Sequence, residues 1–173
     1  MSILIKLYGN LRNKVKAPDI ERGLPITLNI KSKGIDSTLD ILDKFIIEDD
    51  EISHIFVNGK YCGPGKEVRD GDRVGLFPEN MSLMFVEIPN LNSIYVKVKL
   101  FTGLRKYKIP NSVIEMPEGS TIKSFLKKLK IMKILNEEKG LLFKVNGFLK
   151  YDRNFVMENN DTLAIFPPMA KIS

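Results

Sequence analysis

The residues best placed to do chemistry in this chain are its last eleven, LAIFPPMAKIS. An apolar strand through Leu163 to Phe166 is stopped by Pro167 and Pro168, and a short tail then leaves the fold. Such a tail can be delivered into another protein, and its prolines pre-order it, which lowers the entropy lost on docking. Phe166, Pro167, Pro168, Met169 and Ala170 are therefore candidate partner-binding residues. Conventional catalytic groups are sparse. Cys62 is the only cysteine, which excludes an intrachain disulfide, an iron–sulfur cluster and a cysteine-based zinc site. It reads as a small, partly buried thiol. His54 is the only histidine, so Ser–His–Asp or Cys–His chemistry would have to run through it. Its place in EISHIFVNG, just before an apolar strand, points to a structural role. No cluster of nucleophile, base and oxyanion donors can be assembled, so the chain is expected not to be an enzyme and to need no cofactor or metal.

Three further stretches invite a chemical reading. GPGKEV (63–68) faintly resembles a phosphate loop, but its Gly-Lys follows the first glycine too closely and Glu67 stands where serine or threonine is needed. A surface turn is expected there. EDDE (48–51) lacks the spaced ligands and the glycine of a calcium loop, and reads as a solvated helix exit. In IKSFLKKLKIMK, the lysines at 123, 127, 128, 130 and 133 interleave with Ile122, Phe125, Leu126, Leu129 and Met132. That spacing is an amphipathic helix with a basic face, of which Lys123, Lys127 and Lys130 are the representative positions. A phosphate-tracking surface usually adds arginines and exposed aromatics, which this helix lacks. A solvated face is expected, and an acidic protein is the better candidate partner than nucleic acid.

At 173 residues, with 43 % apolar and 28 % charged side chains and a net charge of +6, the composition is that of a globular protein. No apolar run approaches the ~20 residues that cross a bilayer. The start, MSILIKLYGN, alternates like a strand and shows no signal-peptide cleavage pattern, so a cytoplasmic, non-membrane protein is expected.

The elements that must carry these residues occur twice. IKLYGNLR (5–12) answers to VKLFTGLR (98–105), and DSTLDILDKF (36–45) to GSTIKSFLKKL (119–129). IFVNGK (55–60) answers to FKVNGF (143–148), and DGDRVGLFPENM (70–81) to NNDTLAIFPPMA (159–170). The order is identical in both halves, the signature of two copies of one small domain. Each copy reads as strand, strand, helix, strand, short strand, strand. Ile3, Ile5 and Leu7 alternate in one opening strand, as Val96, Val98 and Leu100 do in the other. ITLNIK and SVIEM are the second strands. Ser37 and Ser120 are expected helix N-caps, and Leu39, Leu42, Phe45 and Ile46 the apolar stripe of the first helix. Asn58-Gly59 and Asn146-Gly147 predict tight hairpins, because both residues tolerate positive φ.

This pattern predicts an α+β chain of two tandem β-grasp (ubiquitin-like) domains. Each is a mixed sheet of four to five strands with one helix across it, over residues 1–88 and 94–173 with a linker at 89–93. Residues 13–24 form an extra-long first loop in the first copy, which KYKIPN shortens in the second.

At VNG, DGDRVGLFP and AIFPPMA the sequence resembles the small sulfur-carrier family, which includes the small subunit of molybdopterin synthase and the thiamin sulfur carrier. The resemblance covers both halves. It implies a tail ending in Gly-Gly whose carboxylate is adenylated by an activating enzyme, converted to a thiocarboxylate and used as a sulfur donor inside a partner such as a synthase large subunit. Glycine suits a narrow activation channel because it carries no Cβ and adopts strained φ/ψ cheaply. Here Lys171 and Ile172 occupy the glycine places, and in the first copy Phe77-Pro78 leads through Glu79, Asn80 and Met81 to Ser82 and Leu83. The expectation is therefore a non-catalytic, protein-binding module that keeps the carriers' docking surfaces, in molybdenum or tungsten cofactor assembly or another sulfur pathway. The alternatives are a carrier with an atypical terminus, and a nucleic-acid binder using the lysine face of the second helix.

Overall fold

The computed structural model describes residues 1–16, 24–79, 92–101, 111–129 and 140–167. Its backbone divides into two compact units, Met1–Leu91 and Asn92–Ser173. The first contains β1 (Ser2–Leu7), a 3-10 helix (Gly9–Lys14), β2 (Ile26–Lys31), α1 (Thr38–Lys44), β3 (Ile52–Val57), β4 (Lys60–Cys62) and β5 (Arg73–Pro78). The second contains β6 (Ser93–Leu100), β7 (Asn111–Pro117), α2 (Ile122–Lys128), β8 (Leu142–Val145), β9 (Phe148–Lys150) and β10 (Thr162–Phe166). The sheet orders are β2-β1-β5-β3-β4 and β7-β6-β10-β8-β9. In each, the first and last strands of the unit pair in parallel, and every other pairing is antiparallel. Each unit is a five-stranded mixed sheet crossed by one helix, so the chain is two β-grasp domains.

Strand alternation decides which face meets the helix. Ile3, Ile5, Leu7, Val74 and Leu76 point inward with Ile41 and Leu42 of α1 into the first core. Val96, Val98, Leu100, Leu163 and Ile165 do the same with Ile122, Phe125, Leu126 and Leu129 in the second. Burying such side chains stabilises by about 1.5–3 kcal/mol each, and this drives the two layers together.

The Asn-Gly hairpins form as expected, with φ of 52° and 80° at Asn58-Gly59 and 51° and 87° at Asn146-Gly147. Each asparagine also ties the hairpin to the turn before the last strand. Asn58 Nδ2 donates to Asp72 at 2.8 Å while its Oδ1 accepts from the Arg73 N–H at 2.9 Å. Asn146 repeats both bonds, to Asp161 at 2.9 Å and from the Thr162 N–H at 2.9 Å.

Three expectations need correction. The second helix is capped by Thr121, not Ser120: the Thr121 hydroxyl accepts from the Ser124 N–H at 3.3 Å, whereas Ser120 donates backward to the Pro117 carbonyl at 2.7 Å. One residue fewer separates the positive-φ glycine from the cap in this unit, Gly119 to Thr121 against Gly34 to Ser37, so Ser37 corresponds to Thr121. Ile46 is not on the buried stripe; it is 73 % exposed, because α1 ends before it and its backbone turns left-handed. Ile41 takes the core position instead. The start of the long first loop, through Lys14, is the 3-10 helix, and the loop's residues 17–23 lie outside the described residues.

Candidate docking site

Because inward positions pack on the helix, the outward positions of β1, β5, β3 and β4 compose one open surface. On β1 these are Leu4, Lys6 and, one step past the strand, Tyr8; on β5 they are Arg73, Gly75 and Phe77. Cross-strand register places Phe56 opposite Gly75, His54 opposite Phe77 and Tyr61 opposite Phe56. The rings meet. Tyr8 stacks on Phe77 with centroids 4.1 Å apart and planes 10° apart, and Phe56 abuts Phe77 edge-on at 5.4 Å. Tyr61 extends the array to Phe56 at 5.7 Å and to His54 at 5.4 Å. A Cβ added at Gly75 would lie 3.5 Å from Phe77, 3.7 Å from Tyr8 and 4.0 Å from Phe56, so the rings close over bare backbone there. Burial in this array raises the Tyr61 phenol above its ordinary pKa, with a smaller push from Cys62, so it stays neutral.

The second unit repeats the frame with different chemistry. Phe101 stacks on Phe166, centroids 4.4 Å apart and planes 12° apart, at the position of Tyr8 on Phe77. Ala164 corresponds to Gly75 and Lys99 to Lys6. Where the first unit has Phe56, His54 and Tyr61, the second has Lys144, Leu142 and Leu149. The Lys144 ammonium lies 5.4 Å from the Phe166 ring centroid, a cation–π contact.

Both stacks stand where a last strand gives way to proline, at Pro78 and Pro167. Of the candidates read from sequence, Phe77 and Phe166 are thus outward, half-buried ring partners, and Pro78 is buried opposite Ile52. Pro167 is half-buried, while Pro168, Met169, Ala170 and Lys130 lie outside the described residues. Sequence reasoning passed over Tyr8, Phe101, Phe56 and Lys144. The signal was present for the first pair, an aromatic residue at matched places in IKLYGNLR and VKLFTGLR and in register with the lysine two positions earlier.

Lys123 and Lys127 sit on α2 as expected, and Lys127 and Lys128 fill its last turn, where cations complement the helix dipole. Cys62 is buried, its thiol donating to the Ile55 carbonyl at 3.6 Å. His54 Nδ1 is 2.8 Å from the Ser53 hydroxyl, and that hydroxyl donates to the Pro78 carbonyl at 2.8 Å. The pair pins the end of β5. Among the described residues, no group of three His, Cys, Asp or Glu side chains could hold a metal ion, and no helix is long and apolar enough to cross a membrane.

Residues 98–170 match the ThiS family, so most of the second unit is similar to that family. Among solved structures, the protein described as molybdopterin converting factor, subunit 1, from Pyrococcus furiosus is 25 % identical, covering 44 % of this chain and 99 % of that one at a TM-score of 0.38. The small archaeal modifier protein 1 of Methanosarcina acetivorans is 19 % identical over 46 % of this chain and 98 % of its own, also at 0.38. The HVO 2177 protein of Haloferax volcanii is 14 % identical over 53 % and 98 %, at 0.42. No curated protein matches.

Proposed function

We infer that the chain is a tandem sulfur-carrier-like docking module, two domains at 1–88 and 94–173 joined by 89–93, that binds a protein through the outer sheet face and tail root of its second unit. The observation that carries this reading is the Phe101–Phe166 stack at the mouth of the tail. A ring pair beside Pro167, where β10 ends, offers an apolar anchor at the tail root. The match of 98–170 to the ThiS family supports a setting in sulfur transfer or molybdenum and tungsten cofactor assembly, where the partner would be an activating enzyme or a synthase large subunit. Lys171 and Ile172 in the glycine places favour docking without sulfur transfer.

The test pairs the full chain with purified activating enzyme and synthase large subunit from the source cell, and measures binding and intact mass together. Binding that falls at least tenfold on Phe166→Ala and on removal of residues 168–173, with no mass change after ATP and a sulfur donor, is expected. A sulfur-for-oxygen mass shift would make the protein a working carrier. Binding indifferent to both changes would remove the tail root from the interface.

A further inference from the structure

The outer face of the first unit has no place in that reading, yet its chemistry is the more distinctive. Tyr8, Phe56, Tyr61 and Phe77 form a continuous, partly exposed ring array. Beside it stand Lys6, opposite Gly75, and Arg73, two residues before Gly75 on β5, and none of the outward positions on β1 to β5 carries an aspartate or glutamate. The chain runs on past Pro78, so this face would have to hold a partner without a free tail.

We propose that this face is a second docking site, separate from the tail-bearing one, and that it takes an acidic protein surface presenting an apolar anchor. The proposal rests on the reading of the chain as a docking module. Charge selects the occupant: Lys6 and Arg73, on strands that carry no acid, attract carboxylates and repel a second copy of this +6 chain. Ring geometry selects protein over single-stranded nucleic acid. Tyr8 and Phe77 already give one face each to the other, and Phe56 and Tyr61 lie steeply inclined to their neighbours, so the array offers no row of parallel ring faces. Base recognition on a sheet needs free ring faces, whereas an apolar side chain needs only ring edges and a floor.

The two units would not share this partner. A pocket shaped for Phe56 and Tyr61 meets Lys144 and Leu149 in the second unit, and desolvating the Lys144 ammonium opposes binding there. Size sets the strength. Five strands spaced about 4.8 Å apart, four of them six residues long at about 3.3 Å each and β4 only three, give a face of at most roughly 24 Å by 20 Å. That is below the ~800 Å² per partner of a stable complex, so docking is transient and salt-sensitive.

The test selects a displayed library of peptides, in which acidic, neutral and basic positions alternate with apolar ones, against the full chain. Winners are titrated by fluorescence anisotropy. Ligands with two or more acids flanking an apolar residue are expected. Their affinity should fall at least tenfold with Phe56→Lys/Tyr61→Leu, with Arg73→Glu and with added salt, in variants whose circular dichroism matches the parent. Phe166→Ala and removal of 168–173 should leave it unchanged, which separates this site from the tail root. The proposal is overturned if nothing is enriched, if the winners lack acids, if Phe166→Ala weakens them equally, or if a thymidine oligonucleotide competes for the face.

Discussion

Glu51 shows how a single exposed-looking side chain can be committed. Its carboxylate sits 2.7 Å from the Lys14 ammonium and accepts the Glu48 backbone N–H at 2.8 Å. Lys14 also donates to the Ile46 carbonyl at 3.0 Å, tying the 3-10 helix to the exit of α1. The Lys14 hydrogen bond first, and the Glu48 N–H second, lower the Glu51 pKa below its ordinary value. A carboxylate lowered on folding contributes stability that is complete above its unfolded pKa and is lost as pH falls through the folded one. Glu51→Gln is therefore expected to destabilise the first unit at neutral pH and to converge with the parent in acid, measured by urea unfolding across that range. EDDE had been legible as a solvated exit. The pairing of Glu51 with a residue far away in sequence was not legible, since nothing in the chain marks Lys14 as its neighbour.

At the scale of elements, α1 ends in a Schellman arrangement. The Ile47 N–H donates to the Leu42 carbonyl at 2.9 Å and the Ile46 N–H to that of Asp43 at 3.1 Å. This geometry places Ile46 at φ 53°, a conformation that disfavours a β-branched side chain, and it leaves that side chain in water. Ile46→Gly is expected to stabilise the first unit by about 1 kcal/mol, read as a raised thermal midpoint. A fall would show that the side chain makes a contact outweighing its backbone strain. Helical periodicity had assigned Ile46 to the buried stripe because spacing alone does not show where a helix stops. Alternation in the strands carried more: it predicted Ile3, Ile5, Leu7 and their counterparts as inward, and by the same register made Lys6, Tyr8, Lys99 and Phe101 outward neighbours.

Across the whole molecule, two cores share one design, and among the described residues Phe125 is the largest fully buried side chain of the second. Phe125→Ala should destabilise that unit by about 3–5 kcal/mol. Native-state hydrogen exchange is expected to show the loss in β6, β8 and β10 while protection in β1 and β5 stays unchanged; an equal loss in both units would reveal one cooperative body. The chain by itself determined the duplicated strand–helix order, the hairpin turns and the two inward faces, because these follow from local periodicity and from backbone preferences at Asn-Gly. Only the tertiary structure decided what the outward faces are. Tyr8 meets Phe77 because β1 and β5, more than sixty residues apart, pair in parallel, and the same pairing sets Phe101 on Phe166. Which side chains share a surface depends on strand order, and strand order is fixed by how the helix covers the sheet, not by any short stretch of sequence.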